Sequence, residues 1–261
     1  MTTINQISPA QRVAIVTGGG SGLGREIALR FARDGAAVIV ADQNAGTAKA
    51  VADEIGNAGG RALPLAVDVC IQAEVEAMVR LAVSSFGAVH VLVNSAGVGE
   101  QTAFLKQTVE GFERIVAVNL TGTFRCVHLA APEMIKAGWG RVINLSSVTG
   151  LRGVSGRVSY GSSKTGIVGM TRALAIELAP YNITVNAIAP GPVDTEMVRQ
   201  VHTQATRDTY NRNSPMHRYG TTMEIADGAA FLASDQASYI TGHTLPIDGG
   251  MTATAAIFDL G

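Results

Sequence analysis

The chain is poor in several residue types, and each scarcity excludes a class of function. It carries two cysteines in 261 residues, Cys70 and Cys126. Two are too few for a disulfide framework, and their spacing is not that of metal ligands. The five histidines, His90, His128, His202, His217 and His243, are scattered, with no pair placed like zinc ligands. No metal site is expected. The formal net charge is −1, which gives no electrostatic case for nucleic acid or an anionic membrane. No apolar run approaches the ~20 residues of a membrane span. Met1 to Ala10 is polar and lacks a basic-then-apolar signal peptide. With no repeat, low-complexity tract or Pro/Gly/Ser linker, the expectation is a soluble, cytoplasmic protein with one domain over residues 1–261.

What the chain does have is apolar content, 47% hydrophobic against 16% charged, which suits a buried sheet. Short runs rich in Val, Ile, Ala and Leu alternate with longer amphipathic stretches. The runs are Arg12–Thr17, Ala37–Ala41, Ala62–Val67, His90–Asn94, Arg141–Ser146, Thr184–Ala189 and Thr244–Ile247. Near-continuous apolar runs are expected of parallel strands covered on both faces. Helical stretches such as Gly24–Asp34, Ala45–Ala58 and Gln72–Phe86 lie between them. The alternation predicts an α/β doubly wound parallel sheet of the Rossmann type, about seven strands with helices on both faces.

The first strand runs into Thr17-Gly18-Gly19-Gly20-Ser21-Gly22-Leu23-Gly24 and then a helix. Glycines there permit a tight turn and a close approach of backbone to pyrophosphate, which the helix N-terminus then favours. Dinucleotide binding is the reading of this stretch. The second strand ends at Asp42, about 20 residues on, where a carboxylate can accept from both adenosine ribose hydroxyls and would repel a 2′-phosphate. Gln43 and Asn44 follow it and Ser21 sits inside the loop, so no arginine or lysine is placed to meet that phosphate, and NAD is favoured over NADP. Asp42 could instead merely cap the next helix, a role open to Asn44. Asp68-Val69 and Asn94-Ser95-Ala96-Gly97 close the third and fourth strands at ligand-facing ends, although either could be an ordinary turn. In Val109–Lys136, Asn119 interrupts an apolar face, as a satisfied core polar group or a local bend does.

Tyr160 and Lys164 are four apart and share a helical face. An ammonium one turn from a phenol favours the phenolate and brings tyrosine toward acid/base work. Ser147 follows the apolar run Arg141–Ser146 and stands at a strand's carboxyl end. Beyond a Pro190-Gly191-Pro192 exit, residues 195–219 read as a helical flap on the substrate side, or as a surface helix pair without a role.

Jointly, Thr17 to Gly24, Asn94 to Gly97, Asn119, Ser147, Tyr160-x-x-x-Lys164, Pro190-Gly191 and Asp248-Gly249-Gly250 resemble the short-chain dehydrogenase/reductase family. The likeness covers roughly residues 10 to 250, with Ser95 replacing a frequent asparagine and Leu23 a frequent isoleucine. It implies Tyr160 as general acid/base, Lys164 lowering its pKa and holding the nicotinamide ribose, and Ser147 bonding the substrate oxygen. It implies that Asn119 holds a water linking Lys164 to solvent. It further implies a cofactor surface made of Gly18, Ser21, Gly22, Leu23, Gly24, Asp42, Asp68, Val69, Asn94, Ala96, Gly97, Pro190, Gly191, Val193 and Thr195, together with Tyr160 and Lys164. Expected pocket walls are Gly99, Glu100, Thr149, Leu151, Val154, Pro192, Val198, His202 and Tyr210.

The expected activity is an NAD-dependent oxidoreductase acting on a secondary alcohol or ketone, such as a polyol, hydroxyketone, or cyclic or aryl ketone. A 3-oxoacyl reductase is the alternative. Relatives of that kind present arginines for acyl carrier protein where this chain is read to have Pro132 and Tyr181. A silent NAD-binding sensor conflicts with the complete Ser147/Tyr160/Lys164 set. A sugar-nucleotide epimerase would space its glycines differently and add a larger C-terminal part. A homotetramer is implied by the resemblance alone, and the tail Met251–Gly261 is left open as a cover for a neighbour's pocket.

Overall fold

Strands apolar on both faces need helices on both sides, and this requirement sets the architecture. The computed structural model describes residues 7–255, so the end of the tail, residues 256–261, lies outside the described residues. Seven strands form one sheet: β1 (Val13–Thr17), β2 (Ala37–Asp42), β3 (Arg61–Ala66), β4 (Val91–Asn94), β5 (Gly140–Leu145), β6 (Ile183–Pro190) and β7 (Thr244–Ile247). All pairings are parallel, in the order β3-β2-β1-β4-β5-β6-β7. This is the doubly wound α/β sheet expected of the alternating pattern, with strand ends shifted by at most one residue.

Alternation within each strand divides the core in two. Ala14 and Val16 join Ile27, Phe31, Val51 and Ile225 on one face. Val13 and Ile15 join Val75, Met78, Val127 and Met134 on the other. The covering helices are thus α1 (Gly22–Arg33), α2 (Ala45–Asn57) and α9 (Thr222–Leu232) on the first face. On the second lie α3 (Gln72–Phe86) and α5 (Thr123–Ala137). The remaining helices are α4 (Val109–Val116), α6 (Val158–Leu178), α7 (Glu196–Val201) and α8 (Gln204–Asn213). The stretch Val109–Lys136, read from sequence as one segment, is two helices joined by a wider π-helical turn at Ala117–Gly122. Such turns occur at sites with special local demands, and Asn119 sits inside this one.

Register places the site. Thr17 lies opposite Ala41 on one side and Asn94 on the other, and Asn94 lies opposite Asn144. The carboxyl ends of β1, β4 and β5 are therefore level. Sheet order reverses between β1 and β4, and the crevice outside such a reversal is where open α/β sheets bind ligands. A cavity of about 400 Å³ at the opposite, amino end is lined by Arg12, Ala14, Phe31 and Val91. It is remote from Tyr160.

The tightest joint is between β1 and α1. A Cβ on Gly24 would lie 2.1 Å from the Gly18 carbonyl oxygen, whereas one on Gly56 of α2 meets nothing within 4 Å. Gly24→Ala is expected to destabilise the fold by about 2 kcal/mol or more, lowering Tm by roughly 4 °C or more. Gly56→Ala should stabilise by about 0.4–1 kcal/mol. Thermal unfolding of both variants checks this, and an unchanged Tm for Gly24→Ala would show that the helix is free to move aside.

Candidate active site

The turn between β1 and α1 forms one wall of the crevice. Gly18 and Gly22 both adopt positive φ, +63° and +52°, which suits glycine. A Cβ on Gly18 would come within 2.9 Å of the Ala96 backbone, so this glycine lets β1 and β4 meet. A Cβ on Gly22 would find only Thr195 Cγ2, at 3.8 Å. The turn thus faces open space capped by Thr195. Ser21 precedes α1 without a side-chain capping bond, so its hydroxyl and the first N–H groups of the helix are available to an anion. Leu23 packs inward against the core. This cradle fits a dinucleotide pyrophosphate.

Asp42 is fixed by two backbone donors. The Gly20 N–H reaches Oδ2 at 3.0 Å and the Asn44 N–H reaches Oδ1 at 2.9 Å. Capping of α2 falls instead to Asn44, whose Oδ1 accepts from the N–H groups of Gly46 and Thr47 at 2.9 and 3.2 Å. The alternative reading of Asp42 as a helix cap is therefore set aside. One strand over, Asp68 accepts from the Cys70 N–H and from Gln43 Nε2, at 2.8 and 3.3 Å, and Val69 is buried beside it.

Asn94 turns inward. Its Nδ2 donates to Asn144 Oδ1 at 2.9 Å, and Asn144 Nδ2 donates to Thr171 Oγ1 at 3.0 Å, a buried row that ties β4 and β5 to α6. Thr17 Oγ1 accepts the N–H groups of Ser95 and Ala96, both at 3.2 Å. The backbone makes this bond, so serine at position 95 is compatible with it. Gly97 stands close to Asn119 and Lys164, since a Cβ there would lie 3.3 Å from Asn119 Oδ1 and 3.6 Å from Lys164 Nζ. Across the crevice, Pro190 ends β6 and the Gly191 N–H donates to the Ile247 carbonyl at 3.0 Å. Val193 is buried, and Thr195 Oγ1 caps α7 by accepting from the Val198 N–H at 3.3 Å.

Ser147, Tyr160 and Lys164 converge at the end of β5. Lys164 is 5% exposed and Nζ donates to the Leu145 carbonyl at 2.7 Å. Burial pushes its pKa down to about 8. Nζ lies 5.6 Å from the centroid of the Tyr160 ring. Burial also raises the Tyr160 pKa, and the influences that oppose this are the Ser147 hydroxyl and the Arg157 guanidinium. Ser147 Oγ accepts the Thr149 N–H at 3.1 Å, which fixes the hydroxyl.

Asn119 is completely buried. Its Oδ1 accepts the Val98 N–H at 2.8 Å, and its Nδ2 donates to the Val98 carbonyl at 2.9 Å and to Ser163 Oγ at 3.0 Å. Its backbone carbonyl accepts from Thr123 Oγ1 at 2.7 Å. The side chain is thus spent on clamping the β4 loop to α6, the satisfied-core reading that the sequence also offered.

Some residues here were not named from sequence. Arg157 lies over the Tyr160 ring, 5.6 Å from its centroid, and Tyr219 donates to or accepts from His202 Nδ1 at 2.9 Å. Of the expected walls, His202 stacks on Tyr210 with centroids 5.5 Å apart, and Gly99 lies against Tyr160. The flap is two short helices, anchored where Asp194 takes both Arg199 and Arg207 at 3.0 and 2.9 Å. Arg157 had no detectable signal, since only folding brings residue 157 beside the flap.

Known proteins resemble this chain along almost its whole length. A family model described as Enoyl-(Acyl carrier protein) reductase matches residues 18–252. The chain is 41% identical over 241 residues to the 2,5-dichloro-2,5-cyclohexadiene-1,4-diol dehydrogenase LinX of Sphingobium indicum, covering 92% of this chain and 96% of that one. It is 38% identical over 241 residues to the 3-oxoacyl-[acyl-carrier-protein] reductase FabG of Aquifex aeolicus, covering 92% and 97%. Identity to the FabG of Staphylococcus aureus is 39% over 241 residues, covering 91% and 97%. With a cradle for a dinucleotide, a buried Ser-Tyr-Lys cluster and relatives matched along almost their whole length, the chain belongs to the short-chain dehydrogenase/reductase family and is an oxidoreductase of CH–OH and C=O groups.

Proposed function

We propose that the protein is an NAD-dependent dehydrogenase of a secondary alcohol, or equivalently a ketone reductase, with the whole chain acting as one catalytic domain. The observation that carries this reading is Asp42, fixed by the Gly20 and Asn44 N–H groups at the end of β2 with its carboxylate beside the glycine turn. A carboxylate there suits two ribose hydroxyls and repels a phosphate. In the first residues after Asp42, Gln43 and Asn44 offer no positive charge.

The bound nicotinamide supplies or accepts the hydride. The chain's own residues do the rest. Gly18 to Gly24 hold the pyrophosphate, and Val193 and Thr195 flank the nicotinamide end. Ser147, its hydroxyl fixed by Thr149, orients the substrate oxygen. In reduction Tyr160 donates its proton to that oxygen, and in oxidation it takes the proton away. Lys164, charged below pH about 8, stabilises the phenolate left by reduction. Asn119 serves by holding the Val98 loop against Lys164. The 3-oxoacyl reductase reading has the support of the FabG relatives, whereas Tyr181 and Pro132 speak for the dehydrogenase. We further propose a homotetramer working in the cytoplasm, on the family resemblance; sedimentation of the purified protein as a monomer would refute the assembly.

Tyr160→Phe is expected to lower kcat by about 10²–10⁴-fold while NADH affinity, followed by fluorescence titration, stays within a few-fold. Substantial residual turnover would remove Tyr160 from its role. Asp42→Ala should cost about tenfold or more in kcat/KM for NADH, because hydrogen bonds to a charged group are worth about 1.5–3 kcal/mol, and should raise the rate with NADPH. An unchanged cofactor ratio would show that the preference lies elsewhere.

The pH dependence follows from the two buried groups. The Tyr160 phenol stays protonated through neutral pH because its pKa is raised, while Lys164 loses its charge as pH rises through about 8. Ketone reduction should hold steady below that point and decline above it, and alcohol oxidation should rise with pH. A reduction optimum on the far alkaline side would contradict the assignment of Lys164 as a charged partner.

A further inference from the structure

The substrate side of Tyr160 carries an arginine that no acid neutralises. Arg157 is half-buried at the start of α6 and donates one hydrogen bond, from Nη1 to the Glu100 carbonyl at 3.1 Å. Among the described residues, no carboxylate pairs with it within 4.0 Å, and its other guanidinium N–H groups make no hydrogen bond to protein. This contrasts with Arg199 and Arg207, which share Asp194, and with Arg218, which pairs with Glu224. Glu100, whose backbone carbonyl takes that bond, gives its carboxylate to Ser159 Oγ at 3.1 Å instead.

Position makes this vacancy meaningful. The guanidinium lies 5.6 Å from the Tyr160 ring centroid, and Nη1 is 3.4 Å from where a Cβ on Gly99 would sit. Its charge lowers the pKa of both Tyr160 on α6 and His202 in the flap. At the base of the flap, Arg199 and Arg207 share the Asp194 carboxylate. His202, stacked on Tyr210 and bonded to Tyr219, is kept neutral by burial and by the two neighbouring arginines. A partly desolvated guanidinium with unused donors is a fork for a planar anion.

We propose that Arg157 is a substrate-specificity residue that binds a carboxylate, so that the preferred substrates are hydroxy acids and oxo acids rather than neutral alcohols and ketones. The carboxylate docks on the free edge of Arg157 while the reacting oxygen meets Ser147 and Tyr160. This rests on the oxidoreductase reading of the Tyr160 site and narrows its substrate class. It also sets this chain apart from an enzyme for an uncharged cyclic diol.

The test compares 4-oxocyclohexanecarboxylate with its carboxamide, the same ketone with and without the charge, in NADH-dependent reduction by wild type, Arg157→Gln and Arg157→Lys. Wild type is expected to prefer the acid by about tenfold or more in kcat/KM, as a charge-assisted bond implies, chiefly through KM. Arg157→Gln should bring the ratio to within about twofold of unity, and Arg157→Lys should retain part of it. Binding of unreactive cyclohexanecarboxylate to the NADH complex, followed by nicotinamide fluorescence, should be lost in Arg157→Gln. Turnover of both ketones without preference in wild type, or a preference that survives Arg157→Gln, overturns the inference and leaves the oxidoreductase reading standing. Failure of wild type to bind cyclohexanecarboxylate with NADH in place overturns the inference as well, whether or not either ketone is reduced.

Discussion

The structure depends on one buried charge. Lys164 reaches from α6 to the carbonyl of Leu145, the last residue of β5, and is almost fully excluded from solvent. A pKa moved from 10.5 to about 8 corresponds to roughly 3 kcal/mol of unfavourable burial. The sign is that of a lowered cation. The cost is present below pH about 8, where the folded ammonium is charged, and it is relieved as pH rises toward the unfolded value. Such a cost persists only if the surroundings hold the side chain in place. The Asn94–Asn144–Thr171 row and the Asn119 clamp do this, joining β4, β5 and α6 around the ammonium. These bonds align the strand ends with the helix that bears Tyr160.

Much of this could be read from sequence because it rests on local chemistry. The strand–helix alternation gave the sheet, since near-continuous apolar runs have few other places to go. Thr17 to Gly24 was legible because the turn needs positive φ and a helix that approaches without a Cβ, as Gly18, Gly22 and Gly24 show. Tyr160 and Lys164 were legible because four residues make one turn.

What was not legible depends on partners far apart in the chain. Asn94 was placed at a strand end by its apolar run, but its partner Asn144, which takes its amide, lies fifty residues on. Asn119 left two readings open because its partners are Val98 and Ser163. Spacing and the resemblance both point to Lys164 as a tuner of the phenol. The geometry adds a carbonyl partner for the ammonium and two further groups, Ser147 and Arg157, that lower the Tyr160 pKa. Arg157 itself carried no periodicity and no motif, and its significance lies in an acid that folding fails to bring near it.

That missing acid links substrate charge to proton transfer. Burial raises the Tyr160 pKa, and the guanidinium of Arg157 is one of two influences that lower it. A carboxylate seated on Arg157 would neutralise that charge and so remove part of the lowering. The phenol would then hold its proton more firmly while an acidic substrate is bound. A phenol that holds its proton more firmly leaves a more basic phenolate, the better acceptor in oxidation. The same contact that selects the substrate therefore adjusts the acid that acts on it, and the adjustment is absent for a neutral ketone. Substrate charge, rather than size alone, becomes the property that this pocket reads.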